Sequence, residues 1–200
     1  MILYSHPFSG NGWKVRLFLS LIGQACEIRA VDMSGGENRS PGFLALNPRG
    51  QVPVLVLPEG VLWDSQAILV YLADRYAPDW AGHDGFQRAA VAQWLSFAAK
   101  EVATGLQALR LHRLMGRPLD VPAATATAEA SLAVLEGWLA TRDWLVGDVP
   151  TLADVAVYPY VSLAGEAGAG EAGLSLDATP AIRRWIGRIE ALPGYRPLAG

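Results

Sequence analysis

The chain has 200 residues, of which 52% are hydrophobic and 18% charged, and its formal net charge is −3. This composition is typical of a folded protein and excludes a disordered chain, while the slightly acidic balance argues against a nucleic-acid partner. No apolar run reaches the roughly 18 to 20 residues that span a bilayer, and the N-terminus enters a predicted strand directly, so we expect a cytoplasmic protein with no membrane partner.

The first half of the chain predicts alternating strands and helices. Apolar residues recur at helical spacing between Trp13 and Ile22, and Gly23 then ends the predicted helix. Pro58-Glu59-Gly60 separates two short apolar runs, which is the signal of a hairpin. The predicted elements are a strand at 2–5, a helix at 13–22, a strand at 26–31, a helical turn at 43–46, strands at 54–57 and 61–63, and a helix at 65–76. Their order is β-α-β-α-β-β-α, and the opening crossover implies parallel pairing of the first two strands.

The second half predicts helices alone. Residues 77–85 break every period and form a candidate linker. The predicted helices cover 86–115, 122–141, a segment that follows Thr151, and a segment from Thr179-Pro180 to a stop at Pro193-Gly194. The small residues from Glu166 to Gly173 predict a loop. We therefore expect two domains, an α/β domain at 1–77 and an all-α domain at 86–200.

Thr151 and Asp154 have the spacing of a capping box at the start of an apolar helix. Polar residues before so apolar a helix invite a functional interpretation. A cap of this kind typically contributes about 1 kcal/mol to stability, which is reason enough for both residues. We therefore assign the pair to structure.

A single cysteine, Cys26, excludes internal disulfides, a C-x-x-C redox pair and a cysteine-rich zinc site. Cys26 lies in an alternating, strand-like run, which predicts a buried structural thiol and not a nucleophile. The three histidines, His6, His83 and His112, have no spacing typical of metal ligands. We therefore predict no metal site.

Two neighbouring motifs predict a site for a small anionic peptide. Pro53 stands one residue before an apolar strand, where a proline is a candidate for a cis peptide bond. That geometry leaves the N–H and C=O of Val52 facing outward, where an extended peptide can pair with them. Asp64-Ser65 then begins an apolar helix whose first-turn N–H groups and positive dipole end favour a carboxylate.

These motifs resemble the glutathione-binding half of the glutathione transferases. The pattern N-P-x-G-x-V-P-x-L stands at 47–55, and (D/E)-S-x-A-I-L-x-Y-L-A stands at 64–73. Residues 2–11 are similar to the first strand and active-site loop of the serine-type members, and the resemblance covers nearly the whole chain. It implies a thioredoxin-like N-terminal domain, an all-α C-terminal domain that forms the electrophile pocket, and a homodimer.

The resemblance also implies the chemistry. The glutathione thiol has a pKa of about 8.5, so an enzyme that lowers this pKa by about two units supplies ~2.7 kcal/mol in favour of the thiolate. The resemblance assigns this role to Ser9, whose hydroxyl and neighbouring helix N–H groups can converge on the sulfur. From its position alone Ser9 equally fits a helix N-cap. Asn11 is either a further donor or a turn residue, and Tyr4, a rival donor, lies within a strand and is interpreted as packing.

The remaining site residues follow from the same resemblance. Asp64 is expected to bind the ammonium of the γ-glutamyl end and Ser65 its carboxylate, although both also fit a helix cap. Gln51 is expected to hydrogen-bond the peptide alongside Val52-Pro53. Arg39 is expected to reach the glycine carboxylate, with Asn38 as a weaker neighbour, although an exposed arginine in a polar loop is also an ordinary surface charge.

His6 and Phe8 are expected to border the pocket for the second substrate. Arg110, on the long helix, is either another wall of that pocket or part of a solvated helical face. In thiol-exchanging relatives a cysteine stands in the loop after the first strand, where this chain has Ser9 and Gly12. This difference counts against disulfide or dehydroascorbate chemistry on a protein thiol.

The resemblance thus implies a detoxifying transferase that uses glutathione as co-substrate against small hydrophobic electrophiles or peroxides. A non-catalytic glutathione-binding or regulatory module, or a glutathione-dependent isomerase or lyase, remains the alternative.

Overall fold

The computed structural model describes residues 1–167 and 174–198. It divides into two compact units, one formed by Met1–Pro78 together with residues from Leu192 onward, and the other by Asp79–Ala191. In the described residues, every helix is too short or too polar to cross a membrane.

The N-terminal unit contains a four-stranded mixed sheet with helices packed against it. Its elements are β1 (Ile2–Ser5), α1 (Gly10–Leu21), β2 (Glu27–Ala30), a 3-10 turn (Glu37–Arg39), α2 (Pro41–Leu46), β3 (Val54–Leu57), β4 (Gly60–Trp63) and α3 (Ser65–Tyr76). The strand order is β2-β1-β3-β4, with β1 and β2 parallel and the other pairs antiparallel. The predicted element order and the thioredoxin-like architecture are confirmed.

Helix α1 begins at Gly10, three residues before the predicted start. Ser9 explains the difference, because its side chain accepts a hydrogen bond from the Gly12 N–H and so caps the first turn. The helix ends as predicted, with Gly23 at a φ of 65° directly after the C-cap residue. The core between the sheet and α1 and α3 is made of Leu3, Val15, Leu17, Phe18, Leu55, Ile68, Leu69 and Leu72, none of which is exposed.

Strand β2 forms as predicted, although it is shorter than the predicted 26–31. All of its residues are exposed, because β2 is an edge strand. Cys26 directly before it is half-buried, so the prediction of a buried thiol is wrong in degree. Burial nevertheless raises the pKa of the Cys26 thiol, which disfavours the nucleophilic thiolate.

Every described element of the second unit is a helix or a helical turn, as predicted. After a 3-10 turn at the boundary (Pro78–Ala81), they are α4 (Gly85–Phe97), a π-helix (Ala98–Gln107), α5 (Ala108–Met115), α6 (Val121–Leu139), α7 (Leu152–Ser162), a 3-10 turn (Ala164–Glu166) and α8 (Pro180–Glu190). The predicted helix at 86–115 is thus one continuous helical segment whose ten middle residues wind as a π-helix. This segment packs closely on α6, since a Cβ at Gly105 would lie 2.7 Å from the Ala128 backbone nitrogen.

The capping box at the start of α7 is present, with Thr151 as the N-cap and Asp154 at the third helical position. The structural interpretation of this pair is therefore confirmed. The predicted loop at Glu166–Gly173 lies mostly outside the described residues, since its residues 168–173 are not among them.

The C-terminal tail belongs to the N-terminal unit and not to the helical one. The Trp13 indole nitrogen donates a hydrogen bond to the Arg196 carbonyl at 2.9 Å, and the Ser20 hydroxyl donates to the Gly194 carbonyl at 2.6 Å. The helical unit therefore ends at Ala191, where the sequence suggested that it runs to the end of the chain.

Candidate functional site

The strand register brings the predicted site residues to one end of the sheet, where strands begin or stop; we call this end the site edge. Tyr4 of β1 lies opposite Val54 of β3, which lies opposite Trp63 of β4. Because β1 and β4 run antiparallel to β3, both end at the site edge, where β3 begins. Strand β2 runs parallel to β1 and ends there too. The loop that carries Ser9, the segment before β3, and Asp64 all leave the sheet from this edge.

Ser9 is held by three hydrogen bonds. Its N–H donates to the His6 carbonyl at 3.0 Å, its Oγ accepts from the Gly12 N–H at 3.0 Å, and its carbonyl accepts from the Trp13 N–H at 2.8 Å. The N-cap interpretation is thus confirmed. A hydroxyl that accepts in this way keeps its own hydrogen for donation, so capping and catalysis are compatible in one residue.

The first turn of α1 supplies further donors. In the described part of the chain, the N–H groups of Gly10 and Asn11 have no acceptor, as is usual for the first positions of a helix. Asn11 is half-buried in this turn. An anion at the helix start therefore meets two N–H groups and the positive end of the helix dipole.

A buried lysine lies close behind this turn. Lys14 is 1% exposed, and burial lowers its pKa from 10.5 to about 8, while the Asp64 carboxylate opposes that shift. This buried amine was not predicted, because a lysine in an amphipathic helix is normally expected at the surface.

Asp64 is the N-cap of α3 and has an unusual backbone conformation, with a φ of 82°. Its Oδ1 accepts from the Gln66 N–H at 2.9 Å, and its side chain is exposed. Ser65 is buried, and its hydroxyl hydrogen-bonds Gln66 Oε1. The Ser65 N–H has no acceptor among residues 1–167 and 174–198, so it remains available for a carboxylate.

The segment before β3 presents the expected main-chain edge. The Val52–Pro53 peptide bond is cis, and within the described ranges the Val52 N–H and C=O make no hydrogen bond. Asn47 fixes the segment, because its Nδ2 donates to the Gln51 carbonyl at 2.8 Å and its Oδ1 accepts from the Arg49 N–H at 3.0 Å. Asn47 was part of the quoted motif, but its supporting role was not predicted.

The 3-10 turn after β2 contacts the same segment. Asn38 is buried and its Nδ2 donates to the Gly50 carbonyl at 2.7 Å. The Asn38 amide thus supports the loop, and its expected part in binding a carboxylate stays a prediction. Arg39 and Gln51 are exposed, and Arg39 Nη1 lies 3.0 Å from the point where a Gly50 Cβ would stand.

The residues expected near the second substrate differ in their surroundings. His6 and Phe8 lie in the loop between β1 and α1 with ring centroids 5.8 Å apart, and Phe8 is 51% exposed. Arg110, in the helical unit, is 3% exposed and pairs with Glu166 at 2.7 Å. The alternative of a solvated helical face is therefore wrong for Arg110, because the carboxylate offsets the cost of burying its charge.

Tyr4 packs against Phe43 with ring centroids 6.2 Å apart, and its hydroxyl accepts from Arg29. These contacts agree with a packing role. In the described ranges, no group of three or more His, Cys, Asp or Glu side chains is placed to hold a metal ion.

Sequence reasoning missed Arg16. Its guanidinium donates to the carbonyls of His6 and Pro7, in the loop that leads to Ser9. The available signal was a charged residue between the apolar Val15 and Leu17 on a largely buried helix.

Comparison with known proteins identifies two matching family models. The model described as Glutathione S-transferase, N-terminal domain, matches residues 1–74, and the one described as Glutathione S-transferase, C-terminal domain, matches residues 112–193. Maleylacetoacetate isomerase of Pseudomonas aeruginosa is 32% identical over 204 residues, which cover 98% of this chain and 94% of that protein.

Two transferases show a similar match. Glutathione S-transferase 3 of Zea mays is 34% identical over 208 residues, which cover 97% of this chain and 90% of that protein. The crystal structure of a glutathione S-transferase from Pseudomonas fluorescens matches with a TM-score of 0.90 and 32% identity, covering 100% of this chain and 98% of that one. The similarity therefore extends over both units.

Proposed function

The chain belongs to the glutathione transferase family and has a glutathione transferase function, and we propose that Ser9 activates the glutathione thiol as a thiolate. The Ser9 hydroxyl donates a hydrogen bond to the sulfur anion, and the thiol proton passes to solvent. The thiolate then attacks an electrophilic carbon of a small hydrophobic substrate, and a C–S bond forms as the leaving group departs with its bonding electron pair. With a peroxide, the thiolate attacks one oxygen and the O–O bond breaks. The departing alkoxide takes a proton from solvent, and a second glutathione converts the glutathione sulfenic acid to the disulfide with loss of water.

The observation that carries this proposal is the set of hydrogen bonds around Ser9. They fix the backbone and the oxygen of the residue, and leave the hydroxyl hydrogen for the sulfur. A hydrogen bond to a charged group contributes about 1.5 to 3 kcal/mol, and a helix N-terminus about 0.3 to 1 kcal/mol. Together these terms reach the ~2.7 kcal/mol that lowers a thiol pKa by about two units.

The tripeptide backbone lies along Val52 in this proposal. The N–H and C=O of Val52 support it, because they make no hydrogen bond within the described residues and match the donor and acceptor of an extended peptide. The Ser65 N–H at the start of α3 binds the γ-glutamyl carboxylate, and the second carboxylate oxygen of Asp64 binds its ammonium. Arg39 and Gln51, both exposed beside Gly50, bind the glycine end.

The test is the pKa of bound glutathione in the Ser9→Ala variant. The ultraviolet absorbance of the thiolate, followed against pH, gives this pKa directly. We expect a depressed pKa in the parent protein and a rise of about one to two units in Ser9→Ala, with kcat/KM falling about ten- to a hundredfold at neutral pH. Ser34→Ala removes an exposed hydroxyl that hydrogen-bonds Asp32, and serves as the control. Full activity and an unchanged thiol pKa in Ser9→Ala contradict the role of Ser9.

A glutathione-dependent isomerase is the second candidate. The similarity to maleylacetoacetate isomerase over nearly the whole chain favours it. In that reaction the thiolate adds to the substrate and leaves again, so glutathione is needed but not consumed. An assay with maleylacetoacetate and a conjugation assay with aryl halides distinguish the two, because only conjugation depletes the thiol.

We also propose that two copies of the chain form a homodimer. Exposed apolar side chains on β4 and α3 support it: Val61 is 39%, Trp63 40% and Val70 48% exposed. Light scattering on Val70→Asp tests this, since a charge in a shared interface shifts the protein toward a monomer. A mass unchanged from the parent dimer contradicts this interface, and a monomeric parent contradicts the dimer.

The proposed reaction takes place in the cytoplasm and needs no metal. Reduced glutathione is the thiol buffer of cytosolic compartments, so an enzyme that consumes it works there. The hydroxyl and the helix start supply the stabilisation that a metal would otherwise give to the sulfur anion. Activity that survives dialysis against a chelator is the expected result, and activity that returns only with added metal contradicts it.

A further inference from the structure

The loop before Ser9 is a tight turn, and the guanidinium of Arg16 holds it by hydrogen bonds. Arg16 Nη1 donates to the Ser5 hydroxyl at 2.6 Å and to the His6 carbonyl at 3.1 Å, while Nη2 donates to the Pro7 carbonyl at 3.0 Å. All three acceptors are neutral. In the described residues Arg16 forms no ion pair with a carboxylate. Its hydrogen bonds there are the three contacts just given.

The His6 carbonyl connects Arg16 to Ser9. It accepts the Ser9 N–H at 3.0 Å, which closes a four-residue turn with Pro7 at its second position, and it also accepts from Arg16. Arg16 therefore binds the acceptor that fixes the Ser9 backbone, and its second arm binds the next carbonyl of the same turn. A planar guanidinium presents several donors in a fixed fork, which a lysine ammonium cannot reproduce.

The helix packs on this turn without spare room. A Cβ at Gly12 would stand 2.2 Å from Ser5 Oγ, and 3.3 Å from both Arg16 Nη1 and Ser9 Cβ. The guanidinium, the Ser5 hydroxyl and Ser9 thus surround one point on α1. A small shift of the turn therefore moves Ser9 relative to the helix N–H groups that share its proposed task.

We propose that Arg16 is a positioning residue for thiolate formation, whose forked contacts with Ser5, His6 and Pro7 hold the turn so that the Ser9 hydroxyl reaches the glutathione sulfur. This inference rests on the proposed function of Ser9. Arg16 acts through the turn, while Val52, Asp64 and Ser65, which bind the rest of the tripeptide, belong to other segments of the sheet edge. Its loss therefore affects thiol ionisation and leaves tripeptide affinity in place.

The experiment compares Arg16→Met and Arg16→Lys with the parent protein. Three quantities are measured: the pKa of bound glutathione, the pH profile of kcat/KM, and the Kd of S-methylglutathione, which occupies the peptide site without forming a thiolate. For Arg16→Met we expect a thiol pKa about one unit higher and a kcat/KM about tenfold lower at neutral pH. The Kd of S-methylglutathione stays within about twofold of the parent value, since that ligand needs no activated sulfur. Arg16→Lys is expected between Arg16→Met and the parent, because a single ammonium nitrogen cannot reproduce the fork by which Nη1 and Nη2 reach the three acceptors.

The control is Arg29→Ala, which removes an exposed guanidinium of the same unit that contacts Tyr4 and Glu27. It is expected to match the parent in all three measurements. If Arg16→Met does not fold, Arg16→Lys, which keeps the stem and the charge, decides the matter by the same readouts. A Kd for S-methylglutathione that weakens in step with the rise in thiol pKa shows a general loss of structure and overturns the inference.

Ser9→Ala, measured in parallel, separates the two proposals. A raised thiol pKa in Ser9→Ala together with parent-like values in Arg16→Met and Arg16→Lys overturns the role of Arg16 alone. Full recovery in Arg16→Lys also overturns it, because charge and not the fork is then sufficient. An unchanged thiol pKa in Ser9→Ala overturns the proposed function of Ser9. It also overturns the positioning role of Arg16, which depends on that function.

Discussion

Asp154 Oδ1 accepts a hydrogen bond from the Trp185 indole nitrogen at 2.8 Å, and this contact joins the start of α7 to α8. The same carboxylate accepts from the Leu145 N–H at 3.0 Å and the Thr151 N–H at 2.9 Å. Burial raises the pKa of the Asp154 carboxyl, and these donors oppose that rise. One side chain therefore fastens α7, α8 and the loop between α6 and α7.

We predict that Asp154→Ala destabilises the helical unit by about 3 to 5 kcal/mol, because it leaves several buried donors without an acceptor. Urea unfolding followed by tryptophan fluorescence measures the loss. Asp148→Ala, an exposed position in the same loop, is the control and is expected to change stability by less than about 0.5 kcal/mol. A similar small change in Asp154→Ala contradicts the role of the buried carboxylate.

Gly12→Ala is predicted to lower activity through packing at the site. Its Cβ would stand 2.2 Å from Ser5 Oγ, so either the Ser5 hydroxyl, which accepts from Arg16, or the start of α1 must shift. We expect kcat/KM to fall by roughly tenfold and stability by about 1 to 3 kcal/mol. The matched control is Gly42→Ala in α2, where a Cβ meets nothing within 4 Å. Parent-like kinetics in Gly12→Ala show that the contact yields without moving the site.

Asp64→Asn separates the charge of this residue from its capping function. Asparagine keeps an oxygen for the Gln66 N–H, so the cap of α3 is expected to be retained. Loss of the negative charge weakens the contact with the glutathione ammonium, and we expect its KM to rise roughly fivefold, as for a solvent-exposed ion pair. Asp74→Asn, exposed on the same helix, is the control. An unchanged KM removes Asp64 from ammonium binding.

The fold was predictable because its signals are local. Periodicity and turn residues indicated every strand of the sheet, and the cap at Thr151 identified the start of α7. The same local signals left Ser9 and Asp64 open between capping and chemistry, and both cap a helix in the structure. A helix start offers its N–H groups to a cap and to a ligand alike, so the sequence cannot separate the two roles.

The interior charges were not predictable in this way. Lys14 and Arg110 are both buried, although sequence patterns place charged residues at the surface. Their burial depends on partners distant in the chain: Glu166 lies 56 residues after Arg110, and Asp64 lies on another helix from Lys14. The π-helix at Ala98–Gln107 likewise has no local signal, since its apolar spacing differs little from that of an α-helix.

The buried amine of Lys14 makes the stability of the protein depend on pH in the alkaline range. Its pKa is about 8 in the folded protein and 10.5 for an ordinary lysine, because burial disfavours the charged form. Between these values the unfolded chain binds more protons than the folded one, so the free energy of unfolding rises with pH. Below pH 8 lysine is protonated in both states, and the cost of its buried charge, about 3 kcal/mol, is present in full.

We therefore predict that Lys14→Met removes this rise of the free energy of unfolding between pH 8 and 10.5. The stability of the variant relative to the parent is expected to be greatest below pH 8 and to decrease by up to about 3 kcal/mol as pH approaches 10.5. Urea unfolding of both proteins at intervals across this pH range measures the difference in their free energies of unfolding. The contributions of all groups that titrate alike in both proteins cancel in this difference. Lys100→Met, whose side chain is 81% exposed, is the control and is expected to give a nearly constant difference. A constant difference for Lys14→Met as well means that the folded protein holds this amine with an ordinary pKa.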